Sequence, residues 1–243
     1  MKKIITLFMS LALVMSLAAC GNNQQTQNTQ VATSEPASEA SPEPETSEES
    51  ISETPQKSGS NTLVVYFSMP ETTNPDNMTQ EEDNSVVVID GEVLGNTQYV
   101  ANIIQENTNA DIFRIEPETP YPTDHDTLVD LAAEEQDNNA RPAIKDSVEN
   151  LEQYDTIFIG YPNWWGDMPM ILYSFFDEYD FSGKNIILFN THGGSGFSDT
   201  INSIMELEPD ASIDEDGFTV SRNNVQDAEP DIIAWLENSG YTK

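Results

Sequence analysis

Short apolar runs alternate with amphipathic segments along most of this chain, and that alternation limits its fold more than any other feature. Leu63-Val64-Val65-Tyr66-Phe67 is continuously apolar, β-branched and aromatic, as a strand covered on both faces requires. The segment Thr97–Asn107 follows, with Val100, Ile103 and Ile104 on one helical face. Ile112–Ile115 reads as a second, shorter strand. Pro120 and Pro122 break the chain before a helix over Asp124–Asn139, which places Leu128, Leu131 and Ala132 together. A third strand, Thr156–Gly160, precedes a helix over Met168–Tyr179 carrying Ile171, Leu172, Phe175 and Phe176. Asn185–Phe189 is the fourth strand, and the helix after it, Asp199–Glu208, uses Ile201, Ile204 and Met205. A weaker strand, Gly217–Ser221, and a helix over Asp227–Asn238 close the pattern.

Five such alternations predict an α/β fold, a doubly wound five-stranded parallel sheet with helices on both faces. Ligands of such sheets bind beyond the carboxyl ends of the strands, at the switch point. The loops after Phe67, Tyr161 and Asn190 are therefore the candidates. An insertion, Met69–Val93, separates the first strand from its helix. Within it, Val86–Ile89 and Glu92–Leu94 flank Asp90-Gly91, a pair favoured in tight hairpins. Its acidic part, Glu71–Asp83, is expected to be a solvated loop, and Asp124-His125-Asp126 a solvated helix start.

The first residues carry a processing signal. Lys2 and Lys3 precede the uncharged apolar run Ile4–Leu17, which is shorter than the ~20 residues of a membrane span. The run ends Leu17-Ala18-Ala19-Cys20-Gly21 and resembles the lipobox of bacterial lipoproteins. That resemblance implies a signal peptide over 1–20 and lipidation of Cys20. The product would be an extracytoplasmic, membrane-anchored bacterial lipoprotein held by its acyl chains. Cys20 is the only cysteine, so no internal disulfide and no cysteine-rich metal site can form. Residues 21–60 are rich in Gln, Asn, Thr, Ser, Glu and Pro and hold no aromatic residue. They read as a disordered acidic and polar tether with an end-to-end distance of about 35 Å. Residues 61–243 make one domain.

The formal net charge is -34. No basic stripe exists to displace counterions from nucleic acid, so nucleic-acid partners are not expected. In so acidic a chain the places without acid are informative. Most predicted helix starts carry an aspartate or glutamate that complements the helix dipole. The start Gly95-Asn96-Thr97-Gln98-Tyr99 carries none. With Asn96 or Thr97 as cap, it also lacks the Glu or Gln of a capping box. Such an end can receive a phosphate, or be capped by Asn96 alone. Two further loops share the lack of acid. Tyr161-Pro162-Asn163-Trp164-Trp165-Gly166 offers paired tryptophans, either to plug a core or to wall a pocket for a flat ligand. Thr191-His192-Gly193-Gly194-Ser195-Gly196-Phe197 offers glycines that let backbone approach a ligand, or simply a turn. Together they suggest a flat, phosphorylated cofactor, its phosphate cradle free of lysine and arginine.

These residues carry a family resemblance. The stretches Val64–Ser68, Gly95–Ala101, Pro120-Tyr121-Pro122, Gly160–Trp165 and Thr191–Gly196, in that order after successive strands, make residues 61–241 similar to flavodoxin-like FMN-binding proteins. The likeness is greatest to the bacterial lipoprotein-type flavodoxins. The resemblance implies FMN as cofactor, with Ser68, Gly95, Asn96 and Thr97 at its phosphate. It also implies that Pro162, Asn163, Trp164, Trp165 and Gly166, and Thr191, His192, Gly193, Gly194 and Gly196, border the isoalloxazine ring. Trp164 is preferred to Trp165 as the stacking residue, and His192 either binds the cofactor or caps its turn. One departure from short flavodoxins is the insertion between Ser68 and Gly95. No catalytic acid, base, nucleophile or metal site is assigned. The expected function is electron transfer at the cell envelope, to a redox partner protein or small electron acceptor, and the acidic surroundings lead one to expect a low reduction potential. An FMN-dependent quinone or NAD(P)H oxidoreductase, and a non-redox binding module, are the alternatives. A hydrolase reading fails because Phe197 replaces the second glycine of Gly-x-Ser-x-Gly and no histidine follows Ser195.

Overall fold

The computed structural model describes residues 61–243. The signal peptide, the tether and lipidation at Cys20 expected from the sequence lie outside the described residues. In chain order, β1 (Thr62–Tyr66) leads through α1 (Gln80–Ser85) to a hairpin of β2 (Val86–Ile89) and β3 (Glu92–Gly95), then α2 (Asn96–Thr108). Next come β4 (Asp111–Arg114), α3 (His125–Asp137), β5 (Thr156–Pro162), α4 (Met170–Glu178) and β6 (Asn185–His192). The chain closes with α5 (Thr200–Leu207), β7 (Ser212–Ser221) and α6 (Glu229–Ser239).

Five strands form a wholly parallel sheet in the order β4-β1-β5-β6-β7. The expected doubly wound fold is therefore present. Connections from β1 run outward to β4 on one side, and the chain then returns to β5 on the other, which makes the carboxyl ends of β1 and β5 the switch point. Successive residues of one strand serve opposite layers. Leu63, Val65 and Phe67 pack with Leu128 of α3, Ile171 and Phe175 of α4 and Ile204 of α5. Val64 and Tyr66 pack instead with Val100 and Ile104 of α2 and Ile232 and Leu236 of α6. Both faces are apolar because both are covered, which is why β1 reads as an unbroken hydrophobic run. Each fully buried aliphatic side chain contributes about 1.5–3 kcal/mol.

The insertion forms the expected antiparallel hairpin, Val86 to Ile89 against Gly95 to Glu92. Asp90 and Gly91 both have positive φ, 53° and 88°, as a type I′ turn demands. Its acidic part, however, is not only solvated loop. Thr79 Oγ1 accepts the amide of Glu82 while Glu82 Oε2 accepts that of Thr79, a capping box that starts α1. Glu71, at the other end, buries its side chain to 9% exposure against His125. The weak fifth strand is also longer than expected. It begins at Ser212 and shifts register between the partners Ile187 and Phe189. Gly217 sits at that irregularity, where a Cβ would lie 2.5 Å from the Leu188 carbonyl oxygen.

Candidate functional site

A cavity of about 350 Å³ is walled by the segments that follow β1, β5, β6 and β7, with the start of α2, one face of α3 and the end of α1 completing it. This is within the range of small-ligand sites. Of the residues singled out above, Ser68, Asn96, Thr97, Pro162, Asn163, Trp164, Trp165, Thr191, His192 and Gly193 line it. Gly95, Gly166, Gly194 and Gly196 do not.

The start of α2 is built differently from the sequence expectation. Gly95 is the N-cap, so Gln98 falls at the third helical position and its Oε1 accepts the Gly95 amide at 3.3 Å. A glycine cap has no hydroxyl. Ser68 supplies one from the end of β1, its Oγ accepting the Gln98 amide at 3.3 Å. The two residues need each other, because a Cβ at position 95 would lie 2.2 Å from that oxygen. Asn96 does not cap the helix. Its Nδ2 donates to the Asn84 carbonyl at 2.7 Å, tying the insertion to α2. Its buried Oδ1 has no hydrogen-bond partner among the described residues. Thr97 Oγ1 lies 2.8 Å from Thr191 Oγ1, and this buried pair joins the start of α2 to the end of β6. Arg114 of β4 donates to the Ser68 carbonyl at 3.3 Å and holds the serine from behind.

The loop after β5 turns on Asn163. Its backbone amide donates to the Thr191 carbonyl at 2.8 Å. Its Oδ1 accepts the Gly166 amide, and its Nδ2 donates to the Gly196 carbonyl and to Ser198 Oγ, each at 3.1 Å. One side chain thus knits the two candidate ring-bordering loops together. Trp164 and Asp167 exchange backbone hydrogen bonds around a turn in which Trp165 and Gly166 have φ of 54° and 81°. Positive φ at so bulky a residue as tryptophan is a strained conformation of a kind that clusters at binding sites. The two tryptophans have different surroundings. Trp164 packs edge-on against Phe67 and Tyr121, with ring centroids 5.5 and 5.6 Å away. Trp165 is 60% exposed, and its indole N–H donates to the Val129 carbonyl at 3.2 Å.

After β6, His192 does cap its turn, since its Nδ1 accepts the Gly194 amide at 2.8 Å. That bond leaves the proton of the neutral ring on Nε2. Burial pushes the His192 pKa down, so the ring is neutral around pH 7. It can offer Nε2–H to a ligand while its other nitrogen holds the turn.

Several lining residues escaped sequence reasoning. Met69, Asn84 and Ser85 come from the insertion, and His125, Leu128, Val129 and Ala132 from α3. The spacing of the last four, i and i+4 in two pairs, was readable as one helix face, but nothing local aimed it at the site. His125 Nδ1 lies 3.0 Å from a Glu71 carboxylate oxygen, and that hydrogen bond raises its pKa. Its place on the cavity wall corrects the expectation of a merely solvated helix start. Arg222, just beyond β7, also lines the cavity. It was not among the expected site residues, and only the strand order brings it there. No aspartate or glutamate is among the lining residues.

The flavodoxin family model matches residues 85–239. Among solved structures, a Bacteroides eggerthii protein designated a flavoprotein is 27% identical, with 73% of this chain and 96% of that one covered and a TM-score of 0.54. A second such protein, from Bacteroides uniformis, is 26% identical over 68% and 95% of the two chains, with a TM-score of 0.52. A Lactobacillus acidophilus flavoprotein solved in complex with FMN is 17% identical over 70% and 97%, with a TM-score of 0.48. Comparison with curated proteins gives no match.

Proposed function

Because this chain belongs to the flavodoxin family, we propose that it binds FMN in the cavity at the carboxyl edge of its sheet and carries electrons at the cell envelope. The observation that carries the reading is the sign of that cavity. In a chain with 43 acidic and 9 basic residues, no carboxylate lines the wall. An anionic ligand fits such a place and a cationic one does not.

The residues present suit the parts of FMN. The amides at the start of α2, with the hydroxyls of Thr97 and Ser68, would hold the phosphate through the helix dipole and neutral donors. The buried, partnerless Oδ1 of Asn96 is an acceptor, and the ribityl chain brings hydroxyl donors to meet it. For the ring, the exposed Trp165 is better placed than Trp164, which is committed to Phe67 and Tyr121. Trp165, held to Val129 across the mouth, would cover one side of the ring and keep water from it. His192 would donate from Nε2. When bound, FMN supplies the reversible electron transfer, while the protein sets its orientation and electrostatics.

The site at the envelope rests on the lipobox-like sequence ending at Cys20, and it fits a redox partner protein or a small electron acceptor outside the cytoplasm. The test is a titration of the purified protein with FMN, followed by visible absorbance and flavin fluorescence. A stoichiometric yellow complex with altered fluorescence is expected. Protein that stays colourless after gel filtration from excess FMN would remove the proposal. Steady NAD(P)H- or quinone-dependent turnover by the complex would make it a reductase instead of a carrier.

A further inference from the structure

Arg222 stands apart from the other cations of the described residues. Arg141 pairs with Asp177 and Lys145 with Glu116. Lys184 donates to the carbonyls of Leu151 and Tyr154, Lys243 to that of Glu106, and Arg114 to that of Ser68. Among the described residues, no acceptor and no carboxylate meets the Arg222 guanidinium. Arg222 is an exposed residue whose backbone is anchored beside the cavity. The Arg222 amide donates to the His192 carbonyl at 2.8 Å, extending the β6–β7 ladder by one bond. The guanidinium then lies over Gly193, where a Cβ would be 3.4 Å from its Cζ. It therefore faces the cavity beside the Thr191–Gly196 loop, in a wall without carboxylates.

A cation unpaired among the described residues is available to a charge that comes with the ligand. The phosphate of FMN has its place at the start of α2, with Ser68 and Thr97. A second charge appears only on reduction, when two electrons and one proton from an external reductant convert the neutral flavin ring to a monoanion. Resting on the FMN reading above, we propose that Arg222 binds the negative charge of the reduced ring and so raises the reduction potential of the bound cofactor. The low potential expected from overall acidity is offset locally, because charges more than about 10 Å away are screened by salt while a neighbouring guanidinium is less so.

The test compares wild type, Arg222→Gln and Arg222→Lys, each loaded with FMN. Affinity for oxidised FMN and riboflavin is measured by fluorescence, and the two-electron potential by equilibration with a reference dye under dithionite or xanthine oxidase reduction. Arg222→Gln is expected to lower affinity for reduced relative to oxidised FMN about tenfold, which is about 30 mV for two electrons. Arg222→Lys should keep most of the effect, and high salt should shrink the difference between wild type and Arg222→Gln. An unchanged potential in FMN-loaded Arg222→Gln would overturn the proposal. So would a loss of oxidised FMN affinity with riboflavin unaffected, which would assign Arg222 to the phosphate. Failure of wild type to bind FMN at all would instead remove the cofactor reading, and this proposal with it.

Discussion

Ser68 Oγ occupies the space that a side chain on Gly95 would need: a Cβ there would approach it to 2.2 Å. The backbone at Gly95, φ -65° and ψ 149°, is open to any residue, so the requirement for glycine is steric. Gly95→Ala is expected to push the serine off the Gln98 amide and cost about 1–2 kcal/mol in urea denaturation, the scale of a lost cap. FMN affinity should fall with it. A variant as stable as wild type would show that Ser68 is not holding the start of α2.

The two tryptophans should separate by experiment. Trp164→Ala removes a ring from the cluster with Phe67 and Tyr121 and should cost about 3 kcal/mol of stability. Trp165→Ala removes an exposed ring and should change stability little, while weakening FMN about two- to tenfold, as loss of one aromatic stack implies. The reverse pattern would return the stacking role to Trp164.

His125 ties α3 to the insertion through Glu71, and its pKa is raised chiefly by that hydrogen bond, with Glu81 and Asp126 adding to it. A histidine whose folded pKa exceeds its unfolded value stabilises the fold fully below about pH 6.5 and loses that contribution as pH rises through the folded pKa. Denaturation midpoints of wild type and His125→Gln should therefore differ most at pH 5.5–6 and converge toward pH 8.5. A difference independent of pH would mean the contact does not depend on the imidazolium.

Glu208 carries linkage of the same sign, through a carboxyl instead of an imidazole. Burial, with Asp180 and Asp177 nearby, pushes its pKa up to about 7. Between its unfolded value near 4.5 and 7, the folded chain holds a proton that the unfolded chain releases more readily, so this group lowers stability as pH rises through that window. Glu208→Gln should leave the midpoint unchanged near pH 4 and raise it at pH 8. No gain at pH 8 would show the carboxylate to be better solvated than its surroundings suggest.

Elements whose signal lies in their own residues were legible in the sequence. Apolar runs marked β1, β5 and β6 because they are covered on both faces, and Asp90-Gly91 marked its hairpin because only certain residues accept two successive positive φ values. β7 was read short because it is an edge strand whose first half, Asp214-Glu215-Asp216, is polar. The capping box at Thr79-Gln80-Glu81-Glu82 was visible in principle but hidden in an acidic run. At the site, loops that directly follow buried strands could be named in advance. Arg222, Asn84 and the α3 face could not, since only the strand order and the fold of the insertion carry them to the cavity. The cap of α2 is Gly95, one or two residues before the expected Asn96 or Thr97, because its hydroxyl comes from Ser68, 30 positions from Gln98.

The central claim is that the start of α2 holds the phosphate of a flavin. It is tested most directly by calorimetric affinities of FMN and riboflavin for wild type and Thr97→Ala. The substitution removes one hydroxyl and leaves Thr191 Oγ1, 2.8 Å away, without its partner. The account predicts that wild type binds FMN far more tightly than riboflavin, and that Thr97→Ala weakens FMN about five- to tenfold, a hydrogen bond of about 1 kcal/mol or slightly more. Riboflavin affinity should stay nearly unchanged. Equal losses for both ligands, or no preference for FMN in wild type, would contradict it and leave this turn a helix start and nothing more.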